Sequence, residues 1–406
     1  MRLLITCPNS KQLDPPERKE KVVGPRKERQ LSIVTFIDAL GWEILRERQF
    51  MENELPFRRP LRSVLGFSSA CVPSILTGRL PRDHGHWSFF YKSDGPSPLR
   101  GLRWLRCLPS RLTDKGRVRG LISRYVAKLL GYTGYFQLYN IPFQHIDRFD
   151  YCEKRDLFRA GGINNGQNIF EYLTAADIPF HVSEWRDSEP KNISSLKTAI
   201  GNGEIEFAFL YLAAMDSLLH QVGKGSLEVD KKLAWYEQQL RELLAIARQH
   251  YDEVRLFVCS DHGMATVHTH VDLMSKIERL PFRFGQDYVA TYDSTMARFW
   301  FENADAEVAI REALESVREG RVLSRNELEA LGCDFERDQY GELIFLLDAG
   351  SIIVPSHMGT KPITGMHGYH PDHADSDAVL LSNVLPPNDP RAIIDVFKLM
   401  LAESGA

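Results

Sequence analysis

The sequence predicts an α/β protein with a doubly wound, mostly parallel sheet flanked by helices and carrying cap-like insertions. Two observations point there. Apolar, β-rich runs recur at Ser32–Ile37, Phe207–Leu212, Leu256–Ser260 and Ala378–Ser382, and near-continuous runs of this length suit strands buried on both faces of a parallel sheet. Between them, apolar residues recur at three and four spacing over Gln167–Ala176, Lys231–Gln249 and Ala306–Arg318, the mark of helices that bury one face. Strands alternating with helices imply a doubly wound core.

Taken in order, residues 1–30 read as a charged N-terminal arm. Its LDPPERKEKVVGPRKERQ segment has too little apolar surface to bury. MRLLITCPNS is too short an apolar stretch for a signal-peptide core, and no later run approaches a membrane span, so a cytoplasmic location is the expectation. The domain proper should run from Leu31 to residue 406. Two stretches fit the alternation poorly and read as insertions over the sheet's edge: about 95–165, basic and aromatic, and about 270–365, a short helix with loops and a strand candidate at Gly341–Leu347. The net charge of -4 across 406 residues gives no global pull toward nucleic acid or anionic membrane, and no nucleic-acid partner is expected. Six scattered cysteines without a CxxC pair suggest neither a zinc ribbon nor a disulfide framework.

Three of the apolar runs end in, or soon reach, an aspartate: Asp38, Asp216 and Asp261. In an open parallel sheet the carboxyl ends of the strands face one crevice, so the three carboxylates should converge there. Like charges in one cleft need a cation. Asp261 is followed by His262, and Asp216 by His220 four residues on, which shares one face if a helical turn starts there. Carboxylate with imidazole and no thiolate suits zinc or a similar divalent ion. Any one such residue alone would read as a helix cap or a core histidine; their coincidence on one chain favours a site.

At these residues the sequence resembles the alkaline phosphatase superfamily, most closely its type I phosphodiesterase and nucleotide pyrophosphatase branch. The resemblance spans Leu31 to Leu401 through IVTFIDALGW around Asp38, SSACVPSILTGRLPRDHGH from Ser68 to His86, MDSLLH ending at His220, SDHGM from Ser260, and GMHGY from Gly365 to Tyr369. It implies two divalent ions, zinc first with manganese or magnesium as options, one held by Asp216, His220 and His367 and the other by Asp38, Asp261 and His262. It also implies a serine nucleophile nine residues before Thr77, which counts back to Ser68, with Ser69 next in line. Ser68 further suits a helix N-cap. The expected activity is hydrolysis of a small phosphate ester or nucleotide, of phosphodiesterase or nucleotide pyrophosphatase type, through a phospho-serine intermediate.

Alternatives stay open at this level. They are a phosphomonoesterase, a phosphotransferase acting on a glycan or lipid phosphate, or a non-catalytic relic that binds phosphorylated ligands. A sulfatase fits poorly, because Cys71-Val72-Pro73-Ser74 is followed by Ile75 where that motif carries arginine. His84 and His86 read as packing residues, His268 and His270 as exposed loop histidines, and His370 and His373 compete with His367. Arg298, Lys361 and Tyr369 are the substrate contacts the insertions offer. Between Arg100 and Lys128 nine Lys or Arg stand against one Asp, interleaved with aromatic and aliphatic residues. This is either a solvated helical insertion or a basic amphipathic surface for weak contact with anionic lipid or a phosphorylated glycan, testable by charge reversal at Arg117 and Arg119.

Overall fold

The computed structural model describes residues 29–107 and 115–406. Most of the charged arm, residues 1–28, therefore lies outside the described residues, as does the 108–114 portion of the basic stretch. No helix among the described residues is long and apolar enough to cross a membrane.

The central sheet has six strands in the spatial order Phe57–Leu61, Ala378–Ser382, Glu253–Cys259, Gln30–Ile37, Phe207–Leu212 and Phe180–Val182. The last four run parallel to one another. Alternation along Gln30–Ile37 sends Val34 and Phe36 into one core and Leu31, Ile33 and Ile37 into the other. Helices Ser68–Thr77, Ile169–Ala175 and Asp395–Ser404 cover the first face; Glu189–Asn202 and Leu227–His250 cover the second. Ala378–Ser382 departs from the expected direction, pairing antiparallel with both neighbours. Its apolar run reports burial on both faces, and burial does not encode strand direction.

The 270–365 stretch also holds more structure than expected. Tyr288–Tyr292, Met296–Phe301, Leu343–Leu347 and Gly320–Val322 form a second, antiparallel sheet. Helix Ala304–Glu315, read from sequence as part of the main alternation, packs on this sheet through Ile310 and Leu314. Ile344 and Leu346 face the main core while Phe345 and Leu347 face the helix side, so a single strand joins the two layers. The aromatic stretch before residue 152 shares a fourth core with Val289 and Trp300 of the second sheet.

Candidate active site

Three adjacent parallel strands deliver the three aspartates to one edge. Asp38 directly follows Gln30–Ile37, Asp261 lies two residues beyond Glu253–Cys259, and Asp216 sits in the first turn of helix Ala214–Val222, which follows Phe207–Leu212. The same helix places His220 one turn below Asp216, with Nε2 3.3 Å from Asp216 Oδ1.

Two close approaches lock these turns together. A Cβ on Gly41 would stand 2.4 Å from the Gly263 Cα, and one on Gly263 would stand 2.4 Å from the Asp375 carbonyl oxygen; only glycine permits this crossing of the Asp38 and Asp261 turns. Between them, Ala39 holds a left-handed φ of 62°, a strained conformation for a residue with a Cβ. In it the Ala39 amide donates to Asp261 Oδ1 at 3.1 Å. Across the cleft His220 Nδ1 bonds the Gly365 carbonyl oxygen at 2.8 Å, tying the helix to the segment that carries His367.

The histidines close the cluster. His262 Nε2 lies 3.2 Å from Asp261 Oδ2, 3.9 Å from Asp38 Oδ1 and 3.2 Å from Ser68 Oγ. His262 and His367 stack with ring centroids 3.7 Å apart, and His367 Nε2 faces Asp216 Oδ1 at 3.4 Å. Among the described residues two sets of ligand atoms each gather within 4.8 Å: Asp38, Asp261 and His262, and Asp216, His262 and His367. The second set differs from the sequence grouping by containing His262 where His220 was expected; His220 flanks it through Asp216.

The electrostatics fit a cation. Asp38 Oδ1, Asp216 Oδ1, Asp261 Oδ2 and His367 Nδ1 are buried and make no hydrogen bond among the described residues, which in a native interior calls for an explanation such as an ion. Burial, then the Asp261 and Asp216 charges, push the Asp38 carboxyl well above the usual carboxylate range. Burial likewise raises Asp261. For Asp216 burial also acts upward, but the imidazoles of His220, His367 and His262 outweigh it and hold the carboxyl low. Burial and the neighbouring His262 keep His367 neutral, the state a metal ligand needs.

Ser68 and Ser69 part company. Ser69 is buried and its hydroxyl donates to the Trp87 carbonyl oxygen at 2.8 Å, whereas Ser68 is half-buried beside His262. Ser68 is the first residue of its helix, not the expected N-cap; Phe67 holds that position, and the Ser68 hydroxyl caps nothing.

Of the weaker candidates, His84 bonds Ser74 Oγ and His86 accepts from the Asn164 amide, both inside the framework. His268 and His270 are exposed. His370 and His373 accept from local amides and join neither ligand set. Arg298 is no substrate contact, being fully buried and paired with Asp293 at 3.1 Å. Tyr369 is buried and donates to the Ser351 carbonyl oxygen, and Lys361 is exposed outside the cavity lining. Arg119, chosen from sequence as a surface charge, is buried and donates to the Tyr139 and Ile141 carbonyl oxygens.

The cluster opens into a cavity of about 520 Å³ that Ser68, Asp38, Asp216, His220 and His367 line together with Phe89, Tyr135, Tyr139, Glu153 and Trp185. Sequence reasoning missed this second group. Tyr211, whose hydroxyl donates to Asp38 Oδ2 at 3.1 Å, was also missed, though it is the one polar-tipped residue of the FAFLYL strand. Nothing local marks Glu153, whose surroundings come from distant segments.

A doubly wound sheet that gathers three aspartates and three histidines at its carboxyl edge beside a half-buried serine defines a phosphoric ester hydrolase of the alkaline phosphatase superfamily. The family model described as type I phosphodiesterase / nucleotide pyrophosphatase matches residues 142–370, and the chain belongs to that family. Among solved structures it is similar to human ectonucleotide pyrophosphatase / phosphodiesterase 5 (13% identity, 93% of this chain, 95% of that one, TM-score 0.65). The murine counterpart gives 14% identity with the same coverages and TM-score. An inactive threonine-to-alanine form of the murine protein in complex with AMP gives 14%, again 93% and 95%, and 0.64. Those likenesses are of fold. No curated protein matches in sequence.

Proposed function

We propose that the protein is a two-cation phosphodiesterase, with nucleotide-type phosphodiester or pyrophosphate bonds as the leading substrate class and Ser68 as nucleophile. The observation that carries it is the set of buried carboxylate oxygens on Asp38, Asp216 and Asp261 with no hydrogen bond among the described residues, beside a serine hydroxyl that caps no helix and bonds the candidate ligand His262. Asp216, His220 and His367 would hold one ion, and Asp38, Asp261 and His262 the other; the mixed nitrogen and oxygen donors suit zinc, with manganese or magnesium as alternatives. Two such ions, when bound, lower the pKa of an attacking hydroxyl and offset charge on the attacking and leaving oxygens.

The chain's own part follows from position. Ser68 Oγ loses its proton and forms the new bond to phosphorus as the bond to the leaving alcohol breaks on the opposite side, the departing oxygen taking up a proton to leave as the alcohol. The first turn of helix Ser68–Thr77 presents its amides and dipole to the phosphoryl oxygens. Water then cleaves the phospho-serine ester and returns the proton to Oγ. The AMP complex of the murine relative supports a nucleoside ester among the substrates to be tried.

The test is hydrolysis by metal-reconstituted protein of p-nitrophenyl phosphate, bis-p-nitrophenyl phosphate and a thymidine monophosphate nitrophenyl ester. Preference for the diesters is expected, with Ser68→Ala and Asp216→Ala inactive. Full activity of Ser68→Ala would move the nucleophile, full activity of Asp216→Ala after chelation would remove the two-cation reading, and preference for the monoester would favour a phosphomonoesterase.

A separate surface supports a peripheral partner. Trp104, Leu121, Tyr125 and Leu129 are 76%, 59%, 70% and 70% exposed, and Arg117, Arg124 and Lys128 share helix Gly116–Leu130 with three of them. Apolar side chains among cations complement an anionic lipid surface, which we propose this helix touches.

A further inference from the structure

We infer that Glu189, which lies outside the aspartate–histidine cluster, is a positioning residue for the cation site of Asp216, His220 and His367, holding in place the helix that presents two of the three ligands. The inference rests on the two-cation reading above and concerns how the chain fixes one of those sites.

Helix Ala214–Val222 carries both Asp216 and His220, yet the residue at its N-cap is Ala213, whose side chain accepts no hydrogen bond. The first amides of a helix have no partner within it and need an acceptor from elsewhere. Glu189, the first residue of helix Glu189–Asn202, provides one. Its Oε1 accepts from the Ala214 amide at 2.8 Å and from the Tyr236 hydroxyl at 2.7 Å, and its Oε2 pairs with Lys232. Tyr236 and Lys232 belong to a third helix, Leu227–His250. Three helices thus meet at one carboxylate that is 7% exposed, and a buried carboxylate is tolerated when it is paired and hydrogen-bonded in this way.

The consequence for the site follows from distance along the chain. Ala214 stands two residues before Asp216 in the same first turn, so the amide that Glu189 holds belongs to the turn that aims the Asp216 carboxylate. The far end of the helix is pinned separately, by the bond from His220 Nδ1 to the Gly365 carbonyl oxygen and, just past the helix, by the pairing of Lys224 with Asp375. Asp38, Asp261 and His262 lie off this helix, held by the Ala39 amide and the glycine crossing. Loss of position at Glu189 should therefore be felt at one site. Loss of charge should not be so confined, because Glu189 also pushes the Asp38 carboxyl up, behind burial, Asp261 and Asp216.

Zinc titration of the metal-free protein, followed by calorimetry, tests this without turnover, with Asp216→Ala marking which binding step belongs to which site. Glu189→Asp keeps the charge but withdraws the carboxylate by one carbon–carbon bond, about 1.5 Å. It should weaken the Asp216 step by roughly tenfold and leave the Asp38 step unchanged. Glu189→Gln keeps the reach and removes the charge, and should return the Asp216 step to near the wild-type affinity. Unchanged zinc affinities in Glu189→Asp, even with a lower urea midpoint in chelator, would make Glu189 a helix cap alone and overturn the inference. Weakening by Glu189→Gln but not by Glu189→Asp, or an equal fall in both steps, would overturn it in favour of a charge effect. Should Glu189→Asp fail to fold, Tyr236→Phe removes one of the bonds that place the carboxylate and should weaken the Asp216 step by roughly threefold; an unchanged step would overturn the inference. Two zinc steps in the wild type that no variant alters leave the two-cation reading standing without it, and a wild type that binds no zinc overturns both.

Discussion

Buried charge decides what single residues do in this protein. Glu153 holds a proton in the folded state up to about pH 8, whereas its ordinary value is 4.5. Between those values the folded chain binds more protons than the unfolded one, so the group's contribution is fully present below the lower value and declines as pH rises. Glu153→Gln removes that decline. Its stability relative to wild type should rise with pH by up to about 1.4 kcal/mol per unit and level off above pH 8, as read by urea unfolding from pH 5 to 9. A flat difference would show that Glu153 ionises normally. Arg298 makes the opposite case. Its guanidinium also donates to Ser88 Oγ and to the Tyr340 and Phe90 carbonyl oxygens, so Arg298→Met strands the Asp293 charge and should cost about 3–5 kcal/mol. Retained stability with a raised KM would instead return Arg298 to the substrate. Tyr211→Phe deletes a bond to one candidate ligand, Asp38, and should weaken metal binding about tenfold with the fold intact, by analogy with other supporting hydrogen bonds to metal ligands; metal titration followed by calorimetry measures it.

At the scale of the element, helix Gly116–Leu130 splits into an anchored and an exposed face. Arg119, Ser123 and Val126 are buried, while Leu121, Tyr125 and Leu129 face outward. Leu121→Ser with Tyr125→Ser, or charge reversal at Arg117 and Arg124, should weaken co-sedimentation with phosphatidylserine vesicles, and added salt should weaken only the charge-dependent part. Wild-type protein that fails to sediment with such vesicles would remove the lipid contact. Charge reversal at Arg119 would unfold the helix's anchorage and say nothing about lipid. The same element shows why the sequence was an uneven guide. A count of cations finds a basic stretch, but which arginine is buried depends on the Tyr139 and Ile141 carbonyl oxygens brought to it by the tertiary fold. Asp38, Asp216 and Asp261 were legible because each is tied to the end of its own apolar strand, a local pattern. Tyr288–Tyr292 and Gly320–Val322 were not, because short antiparallel strands between loops leave a weaker periodic signal than long buried runs.

For the molecule as a whole, the second sheet is joined to the central one through the two-sided strand Leu343–Leu347. Loading metal should then stabilise the entire fold, by about 2.7 kcal/mol at a free ion concentration a hundred times Kd. Thermal melts with zinc against melts with chelator measure this, and identical melting points would argue that no ion binds the native state. The two candidate sites are not built alike, and their difference has a kinetic consequence. Asp38, Asp261 and His262 are 8%, 0% and 3% exposed at their side chains, fixed by the glycine crossing and the strained Ala39 turn, and of the three only Asp38 reaches the cavity. Asp216 and His220 are 24% and 23% exposed on a helix that borders the cavity. On the two-cation reading a chelator should therefore strip the protein in two phases, a fast loss from the Asp216 side and a slow one that waits on opening of the fold. A half-loaded enzyme would be a lasting species with its own activity, and the order of metal addition would leave a memory in the rate.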